Sequence, residues 1–163
     1  MPWRGPEDNE WTYYPSPITR RPPWWAGPIS HPINFLPEGA KDVGALLKEI
    51  YIAVSGGQHR LAAMGIRALL EQIMINKIAD HGTFARNLEI FHSQGYISLA
   101  QRDAISAILD VGHAAAHRGF KPSGEDLETA LDIAEGLIAA IFIQPGSAEE
   151  LADRVPARSR KRP

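Results

Sequence analysis

The sequence contains no cysteine among its 163 residues. A disulfide, a thiolate nucleophile and a cysteine-ligated zinc site are therefore excluded. A reducing compartment is compatible with this composition, and we expect a cytoplasmic protein. Long hydrophobic runs are also absent: no apolar run reaches about 18 residues, and the first residues lack the apolar core of a signal peptide. We therefore expect a soluble protein without membrane contact.

Charge of one sign does not dominate the chain, whose formal net charge is −2. Residues 37–147 contain nine Lys and Arg against thirteen Asp and Glu, whereas residues 148–163 contain five against three. This balance excludes a uniformly basic nucleic-acid surface on the central part, although a local patch or the tail could contact phosphate. A phosphate-binding Gly-rich loop, a Gly-x-Ser-x-Gly elbow and an EF-hand loop are also absent, so nucleotide hydrolysis by a P-loop and esterase chemistry have no support. We expect no cofactor.

The composition divides the chain into three parts, and its length suits one domain with extensions. Residues 1–36 form a proline-rich arm, residues 37–147 a helical bundle and residues 148–163 a basic tail. The arm contains all four tryptophans of the chain: Trp3, Trp11, Trp24 and Trp25. Because prolines forbid a regular helix there, we expect an extended arm that lays these rings along the bundle or across a second subunit. Stacking of a ligand on Trp24 and Trp25 is the alternative.

The remaining pattern is helical, with no convincing strand. Apolar stripes and capping signals predict helices over residues 41–54, 58–79, 84–93 and 99–117, and from the capping box at Ser123 to about Ile143. Pro145-Gly146 is expected to end the regular part, with at most a last helical turn over residues 149–153. Four long helices, one short helix and brief connections predict an all-α antiparallel bundle.

The fourth helix carries the most unusual chemistry at its carboxyl end. Asp110, His113 and His117 lie at i, i+3 and i+7, so their side chains project from one face. Arg118 follows at once, and Gly119 is a stop signal.

Three interpretations of this cluster remain open. In the structural one, the histidines hydrogen-bond to neighbouring helices, while His117 and Arg118 lie favourably at the negative end of the helix dipole. In the nuclease one, His113 and His117 exchange protons with RNA and Arg118 stabilises the phosphate charge. In the metal one, His113 and His117 bind one ion together with Asp110 or a group from a partner chain.

Other basic residues are secondary candidates. Arg60, Arg67 and Lys121 are candidate substrate-binding residues, although Arg67 on a mostly buried helix is more typical of a structural clamp, and its spacing allows an ion pair with Glu71. We interpret the remaining histidines as loop, cap or surface residues: His31, His59, His81 and His92.

Three separated segments resemble an uncharacterised bacterial helical family, found alone or fused to restriction endonucleases, that in turn resembles the HEPN superfamily. These segments are His59-Arg-Leu-Ala-Ala-Met-Gly-Ile-Arg-Ala-Leu-Leu-Glu71, Gly95-Tyr-Ile-Ser98 and Gly112-His-Ala-Ala-Ala-His-Arg-Gly119. The resemblance covers about residues 38–143 and implies a HEPN-like fold.

The resemblance also implies a chemistry, from which this chain departs. Active HEPN ribonucleases pair two protomers and carry an arginine five positions before a histidine. With His117 as that histidine, the arginine position is Gly112 and the polar position after it is His113. Arg118 lies about 100° round the helix from His117, so it cannot simply replace the missing guanidinium.

These observations predict a homodimeric, HEPN-like binding or adaptor module in RNA- or defence-linked processes, with RNA or a protein as its partner. A metal-independent ribonuclease that uses His113, His117 and Arg118 is the first alternative. A metal-binding protein that uses His113 and His117 is the second.

Overall fold

The computed structural model describes residues 20–27 and 36–156. These residues form helices and no strand, which confirms the all-α prediction. In chain order the elements are a 3-10 turn (Glu38–Ala40), α1 (Lys41–Ser55), α2 (His59–Ile78), α3 (Phe84–Ser93), α4 (Leu99–His117), α5 (Gly124–Ile138), a π-helical segment (Ala139–Ile143) and α6 (Gln144–Arg154). The expectations for Trp3, Trp11, His31 and the last seven residues lie outside the described residues.

The predicted helix starts are confirmed where a side chain caps the backbone. At α4, Ser98 Oγ accepts from Gln101 N–H at 3.2 Å and Gln101 Oε1 accepts from Ser98 N–H at 2.9 Å. Ser123 and Asp126 form the same reciprocal pair at α5. Because each pair satisfies backbone donors that the first helical turn leaves open, these short patterns fix where the helices begin.

The predicted end of the last helix at Pro145-Gly146 is wrong. After α5 the chain continues through the π-helical segment into α6, which runs from Gln144 to Arg154. This helix crosses residue 147, where we expected the bundle to end. Pro145 lies in the first turn of α6. A proline is tolerated at that position because its missing N–H would have no partner inside the helix.

The helix α2 lies at the centre of the core and contacts α1, α3, α4 and α5. Its inward residues are fully buried: Ala62, Ile66, Leu69, Leu70, Ile73 and Met74. Two glycines allow close approach of its neighbours. A Cβ at Gly65 would lie 2.8 Å from Ile50 Cγ1 of α1, and a Cβ at Gly112 of α4 would lie 2.8 Å from Arg67 Cβ. Small residues at both crossings therefore set the spacing of the helices.

The described part of the arm packs on the helices. Trp25 and Ala26 are buried in the same hydrophobic core as α1 and α5, whereas Trp24 is 69% exposed. A turn within the arm, in which Ala26 N–H donates to the Pro23 carbonyl at 3.0 Å, presents the indole of Trp25 to the core. The helices of the described residues include none with the length and apolarity that a membrane crossing requires.

Candidate functional site

The carboxyl end of α4 is closed by Gly119, as the sequence predicts. Gly119 has a φ of +66°, a conformation that glycine adopts without strain. The N–H groups of Arg118 and Phe120 both donate to the Ala114 carbonyl, at 3.0 and 3.2 Å. This turn leaves the side chains of Arg118 and Phe120 exposed at the end of the helix.

His113 and His117 form an adjacent pair on one face of α4. Their ring centroids are 4.7 Å apart and the ring planes are tilted by 47°. Both side chains are exposed, and neither imidazole hydrogen-bonds to another described residue. The bonds to neighbouring helices on which the structural interpretation depends are therefore absent from the described part of the protein.

Asp110 and Arg118 lie along a shallow groove of about 410 Å³. Its other lining residues are apolar: Val111, Ala114 and Phe120. The two imidazoles are not among the residues that line it. Within the described ranges, no group of three His, Asp or Glu side chains is placed to hold a metal ion. Metal binding by His113 and His117 would therefore need a ligand from outside these ranges or from another chain.

Gly112 of α4 faces α2. A Cβ there would lie 2.8 Å from Arg67 Cβ and 3.1 Å from the Ala63 carbonyl oxygen. Both distances are shorter than ordinary van der Waals contact. A larger side chain at residue 112 would therefore force α2 and α4 apart.

Arg67 is a packing residue between helices. Its guanidinium carbon lies 5.7 Å from the ring centroid of Phe84 on α3, a distance at which a cation is attracted to the ring face. No ion pair joins it to Glu71 among the described residues, so the predicted i,i+4 pair does not form. Because its aliphatic stem also covers Gly112, the structure places Arg67 as a clamp between α2, α3 and α4.

Arg60 and Lys121 line a second depression of about 360 Å³ at the start of α2. Arg60 Nη2 donates to the Gly119 carbonyl at 2.9 Å, which ties the start of α2 to the end of α4. His59 Nδ1 lies 2.7 Å from the Pro122 carbonyl oxygen and must carry the proton, since a carbonyl only accepts. The candidate residues Arg60, Lys121 and Arg118 therefore lie at the same end of the molecule, whereas Arg67 lies one crossing away.

An ionic cluster that the sequence analysis missed lies between α1, α5 and the arm. Arg20 donates to both carboxylate oxygens of Glu135, from Nε at 3.1 Å and from Nη2 at 2.8 Å, and Nη2 also lies 2.5 Å from Asp132 Oδ1. The hydroxyl of Tyr51 donates to Glu135 Oε1 at 2.7 Å. Every side chain of the cluster except Asp132 is largely buried.

This cluster shifts the protonation of its members. Burial, followed by the hydrogen bond to Glu135, raises the pKa of Tyr51 well above its usual range. Burial opposes the charge of Arg20, but its hydrogen bonds to Glu135 and Asp132 outweigh that effect and raise its pKa. Arg20 is therefore held fully charged, and Tyr51 stays neutral as a hydrogen-bond donor. A signal for the cluster does exist in the sequence, because Glu135 lies between Leu131 and Ile138 on the apolar stripe of α5.

Comparison with known proteins identifies the family of the chain. Neither a curated protein nor a solved structure matches the chain. One family model, described as a domain of unknown function (DUF4145), matches residues 48–154. This match includes α2 to α6, and with them the histidine pair and Gly112, but not the arm. The chain belongs to this family of domains of unknown function.

Proposed function

We propose that this protein is a HEPN-like antiparallel bundle that binds single-stranded RNA in the cytoplasm, as a dimeric binding or adaptor module, without cutting it. The observation that carries the proposal is the exposed, unbonded pair of imidazoles at the end of the molecule that also holds Arg60, Arg118 and Lys121. We call these five residues, together with Phe120, the RNA face. The links to RNA- and defence-related processes come from the HEPN resemblance.

The chemistry of the RNA face suits a single strand. Guanidinium and ammonium groups bind phosphate oxygens, and unstacked bases pack on aromatic rings. Phe120 is 43% exposed and lines the same groove as Arg118, and both imidazoles are open to solvent one helical turn apart on α4. Acidic residues at the start of α5, Glu125 and Asp126, make the local charge mixed. A contact with a few nucleotides is therefore favoured over a long basic track.

Binding is favoured over cleavage because the motif guanidinium has no space. The close contact of Gly112 with Arg67 and Ala63 excludes an arginine on α4 at that position. Arg67 itself is directed to Phe84. We infer that the chain retains the imidazoles of the motif as recognition groups.

The test is a fluorescence anisotropy titration of a labelled single-stranded RNA of about 12 nucleotides at several salt concentrations. We expect Lys121→Gln and Arg118→Gln each to weaken binding several-fold and to reduce the salt slope by about one. Lys41→Gln is the matched control, because Lys41 begins α1, at the end of that helix farther along the chain from Arg60, and pairs with Glu38. Absence of binding at low salt, or equal loss in the control, would contradict the proposal.

A metal-independent ribonuclease is the second candidate, and the 4.7 Å separation of the two exposed rings favours it. At that distance one imidazole can accept a proton from a ribose hydroxyl while the other donates one to the leaving oxygen. Incubation of the same RNA with the protein, with and without a chelator, separates RNA binding from RNA cleavage. If the RNA is cut in the presence of chelator and both His113→Ala and His117→Ala abolish the cutting, the protein is a ribonuclease and the binding proposal is wrong. Intact RNA supports the binding proposal. Cleavage lost only with the chelator would indicate the metal alternative.

A further inference from the structure

We propose that Tyr51, Asp132 and Glu135 form a binding site for a short peptide that carries an arginine and, five positions later, a tryptophan. We call these three residues the arm socket. In the structure its occupant is the chain's own segment 20–27, and the same segment of a second copy is the partner that we infer. This inference does not depend on RNA binding, because the socket lies between α1 and α5 and shares no residue with the RNA face.

The socket selects a guanidinium. The two donors of Arg20 meet the two oxygens of Glu135, an arrangement that the single ammonium of a lysine cannot reproduce. The Tyr51 hydroxyl occupies a further position on Oε1 and so fixes the orientation of the carboxylate. The Glu135 side chain is only 10% exposed. An empty socket would leave this buried carboxylate with a single donor from the socket, so the site requires a cationic occupant.

A second anchor makes the occupant specific. Trp25 is 4% exposed and belongs to the hydrophobic core, five residues after Arg20. Between the anchors, Pro22 and Pro23 restrict the backbone before it is bound. A peptide that is already restricted loses less conformational entropy on binding. The segment therefore has the properties of a peptide ligand, namely a charged anchor, an aromatic anchor and a stiff connection.

The segment is short, and it is far along the chain from the residues that it binds. Arg20 is 115 residues from Glu135 and 112 from Asp132. All its anchors lie within residues 20–27, so an identical segment from another copy would make the same contacts. The chain's own segment has the advantage of covalent attachment, which raises its effective concentration. It therefore acts as an intramolecular competitor, and weakening its own anchors should open the site to a segment added in trans.

The experiment uses the full chain with Arg20→Ala and Trp25→Ala, which removes both anchors and leaves the socket unchanged. The probe is a fluorescent peptide with the sequence of residues 20–27. We expect it to bind this double variant at least about tenfold more tightly than the wild type, whose own arm competes. A peptide with alanine in place of its arginine, and a triple variant that adds Glu135→Gln, should each lose more than about tenfold in affinity.

A second measurement identifies the partner as another copy. The immobilised double variant should retain more untagged wild-type chain than the immobilised wild type does, and Glu135→Gln in the immobilised chain should remove this excess. If the peptide binds but no excess of wild-type chain is retained, the second copy is excluded as the partner. If the peptide fails to bind a double variant with native helical circular dichroism, or binds independently of Glu135, the socket itself is excluded. If the double variant is unfolded, Arg20→Ala alone is used with the same outcomes.

Discussion

Glu135 is a carboxylate on the apolar side of a helix, and its partner comes from outside the helices. Removal of one member of a buried ion pair leaves the other charge uncompensated, which costs about 3–5 kcal/mol. We therefore expect Arg20→Ala to lower the free energy of unfolding by about 3 kcal/mol. Arg21→Ala is the matched control, because Arg21 is the exposed neighbour and its loss should cost about 0.5 kcal/mol or less. Urea denaturation followed by circular dichroism measures both, and equal losses would exclude a specific role for Arg20.

Gly112 and Gly136 are both inside helices but have different surroundings. A Cβ at Gly112 would overlap Arg67, whereas nothing lies within 4 Å of a Cβ at Gly136. Gly112→Ala should therefore destabilise the protein by about 1–3 kcal/mol, since helices α2 and α4 must separate. Gly136→Ala should stabilise it by about 0.5–1 kcal/mol, because alanine restricts the unfolded chain and favours the helix. Thermal denaturation decides the signs, and a Gly112→Ala variant as stable as the wild type would contradict the close packing of α2 and α4 at this position.

At the scale of elements, the starts of α4 and α5 use the same capping geometry with different chemistry. The N-cap of α5 is Ser123, and the carboxylate of Asp126 completes its capping box. The pKa of Asp126 is lowered by the hydrogen bond from the Ser123 N–H and by the Ser123 side chain. In α4 the neutral amide of Gln101 takes the same position in the capping box of Ser98, so the two boxes differ in the charge of this one group.

This difference predicts a pH dependence. A lowered folded-state pKa contributes stability that is fully present above the unfolded pKa of about 4 and is lost as pH falls through the folded value. Asp126→Asn should therefore destabilise the protein at pH 7, and the difference from wild type should shrink as the pH falls below about 4. Gln101→Ala should cost the same at both pH values. Urea midpoints at pH 7 and pH 3 provide the comparison, and a difference for Asp126→Asn that does not change with pH would contradict the prediction.

At the scale of the whole molecule, the central helix α2 leaves two apolar side chains uncovered. Leu61 is 59% exposed and Met64 is 41% exposed, although α2 contacts four other helices. A homodimer that covers them would have twice the chain mass of 17.9 kDa. We expect light scattering at micromolar concentration to show this dimer and Leu61→Glu to shift it towards the monomer.

The control for this prediction is Leu151→Glu on α6, which replaces a leucine that is also 59% exposed. We expect it to leave the dimer unchanged. A particle of 17.9 kDa in the wild type would contradict the dimer. An equal effect of both substitutions would contradict the position of its interface.

Local signals predicted α3 and α4 with the bounds that the structure has, and they placed His113 and His117 on one face of α4, which the structure shows to be exposed. These signals succeed because caps, apolar stripes and glycine stops act within a few residues of the positions they determine. They failed at Pro145, where a proline is read as an end although it equally suits the first turn of a new helix.

The sequence by itself therefore determined the all-α class, most helix bounds and the pairing of two imidazoles one turn apart. Only the tertiary structure decided that Gly112 faces Arg67, that Arg60 joins the ends of α2 and α4, and that Arg20 binds Glu135. Each of these contacts joins residues more than 40 positions apart, so its formation depends on how helices pack and not on local propensity. The environment of a side chain, and with it the chemistry that the side chain can perform, follows from that packing.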